Sequence, residues 1–110
     1  MNYQHQELAS GRWREFSFLE QMANVGSEVE RALNWRAKNN PAYSQNAFMR
    51  ALELLYLTID DPRNRSRLRE LTRLREALLD YFAGDNQFAS TDFLWKKYFL
   101  YFTYAARKNY

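Results

Sequence analysis

The chain has 110 residues, which is enough for one domain with one hydrophobic core and too few for two ordinary domains. Hydrophobic residues make up 46% and charged residues 26% of the sequence, a composition typical of a folded chain and not of a disordered one. Because the chain has no cysteine, disulfides and thiolate catalysis are excluded. A net charge of +3 permits nucleic-acid binding without requiring it.

The residues up to about Ser10 and Gly11 are polar and show no periodic pattern. We therefore expect residues 1–11 to be a flexible lead and residues 12–110 to form a single domain. The lead has neither the basic nor the apolar segment of a secretory signal peptide. No stretch approaches the roughly 18 apolar residues of a membrane-spanning helix, so we expect a cytoplasmic protein that does not contact a membrane.

Apolar residues recur at three- and four-residue spacing from about Arg12 to Lys38, which predicts a long first helix. Gly26 lies among these apolar residues, although glycine in a helix interior costs about 1 kcal/mol relative to alanine. Its position indicates either a close crossing with another helix or a bend. The segment Asn39-Asn40-Pro41 supplies a stop followed by a helix start.

Three further helical patterns follow, and no stretch shows the sustained alternation of a strand. Their predicted bounds are about Ala42 to Ile59, about Pro62 or Arg65 to Ala83, and Asp92 to about Arg107. Gly84 is expected to be a left-handed C-cap of the third helix, and Ser90-Thr91-Asp92 is expected to cap the fourth. Four helices with short connections predict an all-α fold, an antiparallel up-down-up-down four-helix bundle.

Three short segments within the range from Ala51 to Ala106 carry a resemblance to known proteins. They read Leu-Thr-Ile-Asp-Asp-Pro-Arg-Asn-Arg, Asp-Tyr-Phe-Ala-Gly-Asp-Asn and Lys-Tyr-Phe. In these segments the chain resembles a family of small uncharacterised prokaryotic helical-bundle proteins of unknown function. The resemblance implies a helical bundle and carries no activity with it.

Residues suited to catalysis or to metal binding are few and poorly placed. His5 is the only histidine and lies in the polar lead, so zinc, thiol and serine–histidine chemistry have no support. Glu28 and Glu30 point to different sides of a helix, whereas Glu76 and Asp80 share a face that also carries arginines. We expect a non-enzymatic protein without cofactor or metal, with a metal-carboxylate hydrolase as the weaker alternative.

Arginines on the third helix fall into two groups when they are placed at about 100° per residue. Arg65, Arg69 and Arg73 form a predicted outward row that could contact phosphates. Acidic residues of the same helix lie near enough to neutralise much of this row, so we favour a solvated face over a nucleic-acid site. The alternative function is an RNA- or DNA-binding accessory protein that uses this arginine-rich helix together with Lys96, Lys97 and the aromatic residues of the fourth helix.

Arg75 projects into the leucine stripe of the third helix. A buried guanidinium without a partner would cost several kcal/mol, so a carboxylate must meet it, with Glu53 or Glu30 as candidates. We favour a structural buried ion pair over a pair at a subunit interface and over an anion site.

The fourth helix carries apolar residues on two nearly opposite sides. The second side carries Phe93, Leu100 and Tyr104 together with Lys97. Because it is apolar, we expect another molecule or another part of the chain to cover it. The favoured cover is a protein, most simply a second copy in a symmetric homodimer. Single-stranded RNA or DNA, with bases stacked on the rings, and burial within the chain are the alternatives. Trp35 and Trp13 are further aromatic residues expected at an exposed contact surface.

Overall fold

The computed structural model describes residues 11–108, and these residues form helices and connecting segments with no strand among them. The four α-helices are α1 (Phe18–Ala37), α2 (Pro41–Asp60), α3 (Leu68–Ala83) and α4 (Asp92–Lys108). Two 3-10 helices, Arg12–Glu15 and Pro62–Arg67, precede α1 and α3. The all-α prediction is therefore confirmed, while the predicted lead lies almost entirely outside the described residues.

The first α-helix begins at Phe18 because Ser17 caps it. The Ser17 hydroxyl accepts the backbone N–H of Glu20 at 3.2 Å, and the Glu20 carboxylate accepts the backbone N–H of Ser17 at 2.9 Å. This reciprocal capping box satisfies two N–H groups that the first turn would otherwise leave free. The prediction of one helix from Arg12 onward is therefore wrong, since a 3-10 turn and the extended Phe16 come first.

The caps predicted for α2 and α4 are present. The Asn40 side chain accepts the backbone N–H of Tyr43 at 3.1 Å, with Pro41 at the first helical position. The hydroxyl of Thr91 accepts the backbone N–H of Leu94 at 3.1 Å, which starts α4 at the following residue, Asp92. Short polar side chains at these positions therefore set where the helices begin.

The prediction of a left-handed Gly84 at the end of α3 is wrong. Gly84 has a φ of −113°, and the positive φ angles of this connection lie at Asn86 and Ala89, at 54° and 53°. The N–H groups of Gly84 and Asn86 both donate to the carbonyl oxygen of Asp80 at 3.1 Å. The carboxylate of Asp80 also accepts the backbone N–H groups of the next two residues, Gln87 and Phe88. Asp80 thus organises the connection, and the left-handed turn is displaced toward Asn86.

Helix α1 is the central element, because it packs along both α2 and α4, whereas α3 packs mainly on α2. Phe18 meets Phe102 at one end of the α1–α4 pair, and Arg36 meets Asp92 at the other end, so the two helices are antiparallel. The buried core draws on all four helices and on Trp13. Its largest fully buried side chains include Trp13, Phe48, Met22, Leu33, Leu55, Leu71 and Leu78.

Helices α1 and α4 approach each other closely at Gly26. A Cβ placed on Gly26 would lie 2.7 Å from the Cβ of Phe99, inside the distance that two carbon atoms tolerate. The prediction of a close helix crossing at this glycine is confirmed. The missing side chain lets the backbone of α1 contact the base of the Phe99 side chain directly.

A polar network closes one end of the core. The amide of Gln21 donates to the carboxylate of Asp61 and to the carbonyl oxygen of Trp13, both at 3.0 Å, and accepts from Asn64 at 2.9 Å. The indole N–H of Trp13 donates to the hydroxyl of Thr58 at 3.0 Å. Buried polar groups stabilise a fold only when they are paired in this way. The prediction of Trp13 as an exposed contact residue is wrong, since only 2% of it is exposed.

Asp61 is the charged centre of this network, and its side chain is fully buried. The guanidinium of Arg63 bonds the carboxylate at 2.7 Å and also donates to the carbonyl oxygen of Phe16 at 2.8 Å. The hydrogen bonds from Arg63 lower the pKa of Asp61 most, and the bond from Gln21 lowers it further. Together they outweigh desolvation, which raises the pKa, so the pKa of Asp61 lies well below its ordinary value. Thr58, Asp61, Arg63 and Asn64 all belong to the first segment of the resemblance, so that segment has a structural role here.

Replacing Gly26 with Ala should destabilise the fold. Overpacking a core contact costs about 1–3 kcal/mol, whereas the better helix propensity of alanine returns only about 1 kcal/mol. We expect a lower free energy of unfolding in urea for Gly26→Ala. Ser27→Ala is the matched control, since the neighbouring Ser27 is exposed and gains the propensity without the clash. Equal or higher stability of Gly26→Ala would contradict the crossing.

Asp61→Asn should lower stability at neutral pH by about 1.5–3 kcal/mol, the usual value of hydrogen bonds to a charged group. Because the pKa of Asp61 is lowered on folding from its ordinary 3.8, the ionised side chain stabilises the fold above pH 4 or so. That contribution is lost as the pH falls toward the folded-state pKa. Urea unfolding between pH 2 and pH 7 should show a flatter pH profile for Asp61→Asn. Asp60→Asn, at a neighbouring exposed carboxylate, should retain the wild-type profile.

Candidate interaction surface

Helix α4 has one buried side and one exposed side, both rich in aromatic residues. Trp95, Phe99 and Phe102 are buried in the core against α1 and its neighbours. Phe93 is 70% exposed, and Leu100 and Tyr104 are each 65% exposed. We call Phe93, Lys97, Leu100 and Tyr104 the outer face of α4. The structure brings these four residues together along the helix, as the periodicity predicted.

The edge of the outer face contains two large side chains that the sequence interpretation missed. Leu94 and Tyr101 are 51% and 65% exposed. Both lie about 80–100° around the helix from Phe93, so the same 100° rule could have found them. Their exposure widens the apolar surface from a narrow stripe to a broad band on α4.

Charge on this part of α4 is one-sided. Lys96, Lys97, Arg107 and Lys108 are all exposed, and Asp92 is the only acidic residue of the helix. Lys96 donates to the side-chain oxygen of Asn34 on α1 at 3.1 Å, which holds it at the α1 side of α4. Exposed apolar residues flanked by cations are therefore the distinctive feature of the surface.

Asp92 is engaged in a cluster at the first turn of α4. Its carboxylate accepts from Arg36 of α1 at 3.1 Å and from the hydroxyl of Tyr81 of α3. The guanidinium of Arg36 also lies over the rings of Tyr81 and Phe82, 4.6 and 4.9 Å from their centroids. Burial, and then the bond to Asp92, raise the pKa of the Tyr81 hydroxyl. Three helices thus meet at the start of the outer face.

A groove of about 470 Å³ runs between α1 and α4 beside the outer face. We call it the α1/α4 groove. Its apolar lining includes Gly26, Val29 and Leu33 from α1 and Phe93, Phe99 and Leu100 from α4. Its charged residues are Glu30 on the α1 wall and Lys96 and Lys97 on the α4 wall. The groove and the outer face form one continuous apolar surface, since Phe93 and Leu100 belong to both.

Trp35 lies outside the outer face, in a neighbouring depression that shares Glu30 with the α1/α4 groove. Its half-buried indole packs edge-to-face on Tyr43 of α2, with ring centroids 4.9 Å apart, and Lys38 lies 5.3 Å above the ring. The α1/α4 groove does not include Trp35. The five predicted interface residues therefore divide into a contiguous set of four on α4 and one separate residue near α2.

The predicted buried pair of Arg75 with Glu53 or Glu30 is wrong, because Arg75 is exposed. The buried positions of α3 are Leu71, Leu74 and Leu78, and Arg75 falls at the edge of that narrow stripe, where a long side chain reaches water. Glu53 is half-buried on α2, and Glu30 is exposed in the α1/α4 groove.

The predicted arginine row is shorter than expected. Arg65, Arg69 and Arg73 are all exposed, but Arg65 lies in the 3-10 helix Pro62–Arg67 and not in α3. Arg73 lines a second groove, of about 400 Å³ between α3 and α4, together with Glu70. Burial, and then the charge of Glu70, raise the pKa of Tyr98 in this groove to about 12. An acidic residue therefore accompanies the shortened row.

Within residues 11–108, no group of three or more histidine, cysteine, aspartate or glutamate side chains is placed to hold a metal ion. In the same range, no helix combines the length and the apolar content needed to cross a membrane. His5 lies outside the described residues.

Comparison of the chain with protein-family models, with curated proteins and with solved structures finds no match. The resemblance to small prokaryotic helical-bundle proteins stays a prediction.

The two sides of α4 should respond differently to substitution. Leu100→Asp should lower the free energy of unfolding by only about 0.5–1 kcal/mol, because the side chain is largely in water and the main loss is helix propensity. Phe99→Ala, one residue away, should cost about 3–5 kcal/mol, because it empties a buried site. Urea unfolding measures both values. A large loss for Leu100→Asp would mean that this side chain is covered within one chain.

Proposed function

We propose that this chain is a small, non-enzymatic, cytoplasmic protein-interaction module that docks another protein, or a second copy of itself, through the outer face of α4. The observation that supports this proposal is the exposure of Phe93, Leu100 and Tyr104, which are 65–70% exposed on a helix whose opposite side fills the core. Aromatic residues are enriched at protein interfaces relative to the rest of the protein surface.

The size of the surface supports the same proposal. Each aromatic side chain hides about 150–250 Å² when it is fully covered. Together with Leu94 at its edge and the adjoining groove, the outer face therefore offers several hundred Å² of apolar area. A specific interface buries about 800 Å² on each partner. Large apolar patches on the surface of a monomer usually mark an interaction site.

We further propose that the four helices form an antiparallel up-down-up-down bundle. The antiparallel pairing of α1 with α4, the packing of α1 on α2 and of α2 on α3, and the three-residue connection between Ala37 and Pro41 support this topology. Such a bundle leaves the outer side of each helix available for a partner.

A second candidate is a nucleic-acid-binding accessory protein. The aromatic residues among Lys96, Lys97 and Arg107 favour it, because rings can stack bases while cations hold phosphates. Leu100 lies at the centre of the outer face and offers no ring to a base, so protein docking is the better-supported function.

Photo-crosslinking in cells that express the protein tests the proposal. p-Benzoylphenylalanine placed at Phe93 or Tyr104 should crosslink to a protein, because both side chains lie on the outer face. The control position is Met49, which is 44% exposed on α2. Crosslinking at 93 and 104 should fall to the level at 49 when Leu100→Asp is added.

The outcomes separate the candidates. An adduct of twice the mass of the chain identifies a second copy, and a heavier or lighter protein adduct identifies a different partner. Nuclease-sensitive adducts would replace the proposal with nucleic-acid binding. Equal crosslinking at all three positions, or none at any, would overturn the outer face as a docking surface.

A further inference from the structure

The groove beside the outer face indicates which kind of partner fits. We propose that the α1/α4 groove receives an amphipathic helix of a different protein, with an acidic flank lying against Lys96 and Lys97. This inference rests on the proposed function and specifies its partner.

The groove is long enough for a docked helix. The eleven residues from Phe93 to Thr103 extend about 15 Å along α4, which is ten steps of 1.5 Å. The apolar anchors of a docked helix at positions i, i+4 and i+7 span about 10.5 Å on the same geometry. The floor of the groove consists of Gly26, Val29 and Leu33, which are all buried and so do not project into it. A ridge of side chains from the docked helix can therefore pack between α1 and α4, as ridges pack into grooves between neighbouring helices.

The charges on the two walls differ. The α4 wall presents Lys96 and Lys97, and the only acidic residue of that helix, Asp92, is already bonded to Arg36 and Tyr81. The α1 wall carries Glu30. A helix that complements both walls needs carboxylates on the flank toward α4, while the flank toward α1 tolerates a cation. Complementary charge of this kind fixes the orientation of a docked helix.

A second copy of the chain complements this surface poorly. A symmetric pairing of two α4 helices would put positive side chains on both facing surfaces, because each copy exposes Lys96, Lys97, Arg107 and Lys108. Like charges across an interface cost affinity. No acidic residue of α4 can compensate, since Asp92 is engaged within its own chain.

A nucleic acid also fits less well than an acidic helix. Glu30 would face the phosphates, and the groove floor is aliphatic at Val29 and Leu33. Bases stack on exposed ring faces, whereas the apolar side chains of a docked helix pack into a groove with an aliphatic floor. Glu30 and the aliphatic floor therefore favour a protein helix over an RNA or DNA strand.

A displayed library of randomised helical peptides tests the inference. The full chain is the bait, and peptides that also bind Leu100→Asp are removed. We expect the enriched peptides to carry apolar residues at i, i+4 and i+7 and aspartate or glutamate along one flank. Fluorescence anisotropy of an enriched peptide should show at least about tenfold weaker binding to Lys96→Glu/Lys97→Glu, because an attractive contact becomes repulsive.

The matched control is Arg69→Glu/Arg73→Glu, which changes the net charge equally on exposed residues of α3. It should bind the peptide like the wild type, and circular dichroism should show that both double variants are folded. Peptides without acidic enrichment, equal weakening by the two double variants, or no enrichment at all would overturn the acidic helix. In that case, protein crosslinks at positions 93 and 104 would still support the outer face as a docking surface.

Two other results would overturn the inference in favour of a different occupant. Sedimentation of the chain as a dimer that Leu100→Asp dissociates would assign the groove to a second copy. Binding of a single-stranded oligonucleotide that Lys96→Glu/Lys97→Glu abolishes, with no peptide enriched, would assign it to nucleic acid. Measurement at two salt concentrations strengthens the second test, since nucleic-acid affinity falls steeply with salt.

Discussion

The contact between Gly26 and Phe99 determines how the rest of the molecule is arranged. Without a side chain at Gly26, the backbone of α1 approaches the base of Phe99, and α4 turns Trp95, Phe99 and Phe102 into the core. A helix at the surface of a domain buries one side and leaves the opposite side in solvent. Once this side is fixed by the crossing, Phe93, Leu100 and Tyr104 must face outward. The outer face of α4, the proposed docking surface, is thus a consequence of how α4 packs on α1.

The opposite end of the core depends on hydrogen bonds instead of close packing. Gln21, Asp61 and Asn64 bond to one another, to the backbone and to the two 3-10 segments, so both irregular connections are fixed to α1 and α2. Such a network stabilises the fold only when it is complete, because a single unpaired buried group costs about 1–3 kcal/mol. Apolar contact and polar satisfaction therefore act at different places in one small core.

The sequence predicted what depends on helical periodicity and local capping. The all-α class, the crossing at Gly26, the cap at Asn40 and the outward side of α4 all follow from spacing or from a short motif. Ser17 was missed although its motif, Ser-x-x-Glu before an apolar run, was legible. Periodicity gives the direction of a side chain and does not say how far the neighbouring helix extends over it.

The wrong predictions share that cause. Arg75 points to the edge of the α3 stripe, and only the position of α2 decides whether that edge is covered. Trp13 looked exposed because its partner, Thr58, is 45 residues away in the sequence. Gly84 was expected to be left-handed, but Asp80 collects the N–H groups of the connection and moves the turn to Asn86. Each error required knowledge of a tertiary partner.

The cluster of Arg36, Tyr81 and Asp92 has a consequence for recognition. It joins α1 and α3 to α4 at the residue directly before Phe93, so the first turn of α4 is held by two other helices. In the proposed complex, a partner would meet Phe93 on a preorganised turn, so ordering the backbone there would cost little conformational entropy. The proposed docking surface thus has its most firmly held end at Phe93.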